Sequence, residues 1–372
     1  MSEVLFQSLP YKKALEQVKF RIDEASKANL QIFKQAWWKE HLRLGAIPHT
    51  MSTFETVIGK MHLPIMASTI NDKSAEPLRM NQGFDKVRQG MFTHAHGYKM
   101  DADEIREIYL MIKGATSDEG KIVGYITDKL FNHVEKAIEG VDARISYMLQ
   151  YILSNGGTYT FTKDNDPQSP FVGQTISFGM PDENKGVQGS GNTWTTANVK
   201  IIDPIKDIDD VLKKSKVQLK YVLLDRASLN FMMSTDAMKN YVNSSLYPNL
   251  PLTLSRVNDW MASNGYPILK VVDSEFAIQD GDALKSVSGW KAGQLAFIPD
   301  QYIGTLETRL SDAEMEMKSP GVDYTYYNRV EVRRYELGEK ENSTFCQITK
   351  ANLTAAPSIS SIANIYTLDT TK

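Results

Sequence analysis

The sequence runs to 372 residues, 42% of them hydrophobic and 23% charged, with a net charge of −3. That length exceeds one compact core and suits two or three units, and the charge balance excludes a chain built as a whole to grip nucleic acid. A single cysteine, Cys346, excludes an internal disulfide and a cysteine-rich zinc module and fits synthesis in a reducing compartment. No apolar run approaches the ~18 residues of a membrane span, and "MSEVLFQSLPYKKALEQ" has no charged start followed by an apolar stretch. Neither a membrane partner nor a signal peptide is expected.

From Tyr11 to about Leu44 the spacing predicts one helix, because Leu15, Val18, Ile22, Ala25, Asn29, Ile32 and Ala36 alternate steps of three and four. Such a helix lies either on its own domain or on another subunit. Trp37 and Trp38 adjoin on it and cannot share one seam, so one of them is expected to touch something else. Both are candidate assembly residues. Gly45 and Pro48 break the pattern. Residues 52–99 then read as an extended, hairpin-like excursion with little apolar material, expected to contact neighbours more than its own subunit.

Asp101 and Glu104 form a capping box for a short helix that Gly114 closes. Residues 118–154 predict one very long helix, with Ile122, Ile126, Leu130, Val134 and Ile138 opening its apolar stripe. At ~1.5 Å per residue it would span about 50 Å. Asn155-Gly156-Gly157 stops it. Two short strands around an Asp-Pro turn follow, and they are expected to form a small sheet with the C-terminal strands. Residues 195–300 alternate helix and strand as a separate α/β unit. The remainder is mostly strand, and its last apolar strand is expected to return to a sheet begun elsewhere.

The residues offer little chemistry. Gly186, Gly189 and Gly191 give G-x-x-G-x-G, the reverse of a dinucleotide fingerprint, with no Lys-Ser/Thr of a P-loop. Asp203, Pro204, Asp207, Asp209 and Asp210 then put negative charge where a phosphate would sit. The stretch reads as a hinge-like linker that Trp194 re-anchors. His94 and His96 share a strand face but lack a third ligand at a recognisable spacing, so solvent-facing or interface histidines are expected. His133 reads as a packed or capping side chain and Cys346 as a small strand residue. No catalytic motif appears, and no cofactor or metal is expected.

Five stretches, in order, resemble one family. "RMNQGFDKVRQGMFTHAHGYKMDADEI" is similar to the end of an extended loop, and "EKAIEGVDARISYMLQYILSNGGTYTF" to the end of a spine helix. "TWTTANVKIIDPIKDIDDVLKKSK" and "KYVLLDRASLNFMMSTDAMKNYV" are similar to the path into an axial domain, and "GQLAFIPDQYIGTLE" to the strand leaving it. From about residue 50 onward the order resembles the major capsid proteins of tailed double-stranded DNA phages, in the branch of the lambda major head protein, capsid protein E. The resemblance implies an α+β, Hong Kong 97-like fold: an N-terminal helical arm (1–50), an extended loop (51–100), a peripheral domain with the spine helix (101–194 and 301–372) and an axial α/β domain (195–300). It implies a non-catalytic subunit that self-assembles as hexamers and pentamers into an icosahedral virion shell, made in the host cytoplasm. Scaffold, portal and decoration proteins and non-specific contact with double-stranded DNA are the implied partners. Some relatives crosslink a Lys to an Asn, but Lys60, Lys73 and Lys86 match no such site. The helix before residue 48 is not part of the family pattern. An encapsulin-type shell holding protein cargo, a tail or decoration protein, and an enzyme with a helical arm are the alternatives.

Overall fold

The computed structural model describes residues 8–27, 36–58, 85–100, 102–114, 119–187, 193–243, 250–280, 283–337 and 346–371. Helix α1 (Leu9–Lys27) forms from the predicted stripe, with Tyr11, Ala14, Val18 and Ile22 fully buried. It does not run on to Leu44. Trp37–Glu40 is a separate turn of 3-10 helix, and β1 (Leu42–Leu44) is extended. The reason is tertiary: β1 pairs in parallel with Gly304, Thr305 and Leu306, and a strand ladder overrides the local helical period. Asn29 and Ile32, which continue the predicted seam, lie outside the described residues.

Strands β2 (Thr53–Ile58) and β3 (Asp85–Gly90) form an antiparallel pair, and β4 (Phe92–Met100) follows. The expectation that residues 52–99 contact little of their own subunit fails at β4. That strand pairs along its length with the late part of the chain, from Phe92↔Ala355 to Met100↔Gln347. It also crosses the long helix. A Cβ at Gly140 would sit 2.3 Å from Cδ2 of His96, so only glycine permits this approach. Helix α2 (Ala102–Gly114) and helix α3 (Glu119–Ser154) come next. α3 is one helix of 36 residues, about 54 Å long at ~1.5 Å per residue. Gly156 at φ +63° and Gly157 at φ +75° end it.

Strands β5 (Thr158–Thr160) and β6 (Thr175–Ser177) pair with each other and, among the described residues, with no C-terminal strand. This corrects the predicted joint sheet. Asn165 closes the connection locally, accepting from Thr162 N at 2.9 Å and donating to Thr160 O at 2.8 Å. Tyr159 and Phe161 then tie the hairpin to the aromatic cluster of Phe92, Tyr147 and Phe171.

The next unit comprises α4 (Pro204–Lys214), β7 (Tyr221–Leu224), α5 (Arg226–Ser234), α6 (Asp236–Val242) and α7 (Leu254–Ser263). β8 (Ile268–Val271), the hairpin β9 (Glu275–Asp280) and β10 (Ala283–Ser288), and β11 (Gln294–Ile298) complete it. Asp203, Asp225, Thr235 and Thr253 each accept a backbone N–H at a helix start, which is why these short helices hold.

β12 (Gly304–Thr308), β13 (Asp323–Tyr327), β14 (Val330–Leu337), β15 (Cys346–Ser358) and β16 (Tyr366–Asp369) finish the fold. The larger sheet runs β1-β12-β15-β14-β13, with β4 also on β15. The second runs β16-β11-β7-β8, so the last strand does return to an earlier sheet. Its two faces are both covered. Val222, Leu224, Leu295 and Phe297 face a core shared with α4–α7, whereas Leu223, Ala296 and Ile298 belong to the core around α3. A strand buried on both faces reads as a continuous apolar run, as "YVLL" and "LAFI" do. This sheet is a wall common to the two cores.

Candidate assembly surfaces

The N-terminal segment is strapped across α3. Trp38 donates from Nε1 to Asp142 Oδ1 at 2.9 Å, and Lys39 Nζ lies 2.8 Å from Asp142 Oδ2. The backbone N of Trp38 also donates to Ser146 Oγ at 3.3 Å. Asp142 and Ser146 stand one helical turn apart, so a single face of α3 receives the whole turn. Trp38 is buried there, while Trp37 lies beside it, half-buried against the His41 ring at 4.5 Å. The two tryptophans do part company, on a turn and not on a helix. Burial lowers the His41 imidazole to about 4, although Nδ1 lies 3.1 Å from the carbonyl of Gln301.

Nearer the start, α1 covers α3 and β13. Tyr11 donates to Gln347 Oε1, Lys19 pairs with Asp323, and Thr127 donates to Gln17 Oε1 at 3.1 Å. Arg334 is buried beneath, donating from Nη2 to Asp323 Oδ2 at 2.9 Å. Burial pushes its guanidinium pKa down and Asp323 opposes that. Burial likewise pushes the Tyr11 phenol up. Sequence reasoning missed Asp142, Asp323 and Arg334, because each partner lies far along the chain and no short-range spacing marks the pair.

At the glycine stretch, Gly186 adopts φ +53° and its N donates to Thr367 Oγ1 at 2.7 Å. Val187 N then donates to Thr367 O at 2.7 Å. Trp194 is tied further along the same edge: its N donates to Thr370 O at 2.9 Å and Nε1 to Asp207 Oδ2 at 2.8 Å. Its half-buried ring stacks on Phe231 at 5.5 Å. Asp203 caps α4 by accepting from Ile205 N at 3.1 Å and also receives Tyr241 OH at 2.8 Å. Gly189 and Gly191 lie outside the described residues. Both described flanks of the stretch therefore rest on β16.

The histidine pair separates. His94 is buried, not solvent-facing, and desolvation lowers it to about 3, with Arg144 adding to the shift. The cause is that α3 covers the face of β4 that His94 occupies, which strand period alone cannot reveal. His96 stays half-exposed and approaches Tyr98 OH at 3.1 Å. His133 is packed, 3.6 Å from Glu104 Oε1. Among the described residues no group of three His, Cys, Asp or Glu could hold a metal ion, and no helix is long and apolar enough to cross a membrane.

The model of the phage major capsid protein E family matches residues 47–332. The chain belongs to that family. The match leaves α1 and the Trp38 turn outside it, as it does the last strands. A prophage protein of Escherichia coli CFT073, described as a capsid protein, superposes with a TM-score of 0.58 at 11% identity, covering 95% of this chain and 98% of its own. The capsid of Myoviridae phage XM1 gives 0.42 at 9% identity, with 91% and 94% covered. The holo-SrpI encapsulin complex of Synechococcus elongatus gives 0.32 at 8% identity, with 94% and 95% covered. The first value establishes a shared fold; the two lower ones carry no such weight. No curated protein sequence matches the chain. The family is one of structural shell-forming proteins, so this capsid protein belongs to a virion shell built by self-association and its role is not catalytic.

Proposed function

We propose that this capsid protein tiles an icosahedral shell around double-stranded DNA, meeting its own copies as hexamers and pentamers after synthesis in the host cytoplasm. The family match over residues 47–332 carries the reading. Residues 51–100 serve as the extended loop between neighbours, 101–194 and 301–372 as the peripheral domain, and 195–300 as the axial domain at the symmetry axes. Residues 1–50 form an arm, and scaffold, portal and decoration proteins bind the assembled surface. Gly186, Gly189 and Gly191 adjust the join, so that identical chains fit different neighbours. Contact with DNA is non-specific and salt-dependent, carried by scattered Lys and Arg against a net charge of −3. Negative-stain microscopy of the expressed chain tests the reading: closed shells or capsomers are expected. Discrete small particles or tubes at every concentration would overturn it, and shells that fill with a co-expressed protein cargo would favour the encapsulin alternative.

A further inference from the structure

We propose that Asn258 closes the free edge of the four-stranded sheet and so keeps a second copy of the chain from adding a strand there. In the order β16-β11-β7-β8, β8 is an outer strand. Ile268 N donates to Lys220 O at 2.9 Å and Val272 N to Leu224 O at 2.9 Å, both toward β7. By the alternation of a strand, the N–H and C=O of Leu269 point the other way, off the sheet. Asn258 meets both. Leu269 N donates to Asn258 Oδ1 at 2.9 Å, and Asn258 Nδ2 donates to Leu269 O at 3.0 Å.

One primary amide thus supplies the acceptor and the donor that another strand would offer at that position. The pairing also fixes which way the amide points, since the flipped form would face donor to donor. Helix α7 holds the side chain in place: Val257 is buried on one side of it in sequence, Met261 follows one turn on, and Thr253 caps the helix. The edge beneath is one that invites pairing. It is a short apolar run, Ile268-Leu269-Lys270-Val271, with Ile268 38% exposed. Its single charge, Lys270, is drawn back over the Tyr221 ring at 4.1 Å. Outer strands of this composition pair with copies of themselves unless something covers them. The excluded partner is therefore β8 of a second copy, and the geometry holds whether or not the chain goes on to build shells.

The test uses the full chain as unassembled subunits. Asn258→Leu keeps the volume and removes both bonds. Two freed backbone hydrogen bonds of ordinary net strength lower the onset concentration of association by roughly 10- to 30-fold. Light scattering against concentration should show that shift, with irregular particles in micrographs in place of shells. Ile268→Lys, added to Asn258→Leu, puts a charge on the opened edge and should restore the original onset. Asn258→Ala, which favours the helix and adds no apolar bulk, should behave like Asn258→Leu and covers the case in which leucine disturbs folding, as checked by circular dichroism. An unchanged onset in the folded variants, or association that Ile268→Lys leaves untouched, overturns the proposal.

Discussion

The strap across α3 rests on a small buried contact whose strength can be worked out. Asp142 has an 8% exposed side chain and accepts from Trp38 Nε1 at 2.9 Å while pairing with Lys39 Nζ at 2.8 Å. Removing the carboxylate leaves an indole N–H buried without a partner and an ammonium that must find water. A hydrogen bond to a charged group contributes about 1.5–3 kcal/mol, and an orphaned buried donor costs about 1–3 kcal/mol. Asp142→Ala should therefore destabilise by about 3 kcal/mol. Trp38→Phe removes the same bond from the other side but also trims the ring, so its cost mixes bond and cavity. The double variant separates them. If the indole–carboxylate bond is what holds the turn, the coupling in the cycle should be about 1–2 kcal/mol, because the cavity term cancels. Urea unfolding of unassembled subunits, followed by circular dichroism, gives all four corners. A coupling below about 0.5 kcal/mol would refute the reasoning and leave Trp38 held by ring burial alone.

Acid should loosen the subunit. His41 and His94 are neutral when folded, lowered to about 4 and about 3, whereas the unfolded chain protonates them near pH 6.5. The unfolded state therefore binds more protons below pH 6.5, and stability falls as pH drops through that value toward 4 and then 3. His41→Gln should remove about 3 kcal/mol of that loss, read as a shallower pH dependence of the urea midpoint. Gly189→Val with Gly191→Val should leave a soluble subunit that closes poorly into regular shells; normal shells in unchanged yield count against the adjusting role. Hydrogen exchange at residues 53–58 and 85–90 should slow on assembly, while β4, already paired with β15, should not change; equal rates at all of these sites in both states would sink the loop's role between neighbours.

The long helix was legible because apolar residues recur with helical period from Ile122 to Ile152 and Gly156-Gly157 ends them. Asp203-Pro204 was legible as a helix start for the same local reason. The end of α1 was not. Ala25, Asn29, Ile32 and Ala36 keep the helical spacing, and only the parallel pairing of Leu42 with Gly304 shows why the chain turns away. His94 was misjudged because strand period assigns it a face without saying which face α3 covers. The Trp38–Asp142 and Arg334–Asp323 contacts were invisible, since paired charges and donors leave no trace in spacing when their partners come from different elements. Asn258 carries no motif either; its role depends on a strand that follows it and on the side of that strand left open.

The order in which strands join the sheets has a consequence for synthesis. β15 sits between β4, β12 and β14, and β16 completes the wall beside β11, yet both are made after nearly everything they touch. At about 5–20 residues per second, on the order of 4–15 s pass between the ribosome adding Gln294 and adding Asp369. For that interval β11 has an open flank, and β4 waits still longer for its partner. A nascent chain therefore cannot offer finished contact surfaces to subunits already released. Incomplete chains are kept out of growing shells by the timing of translation itself, and the same delay makes the half-made subunit a natural client for chaperones.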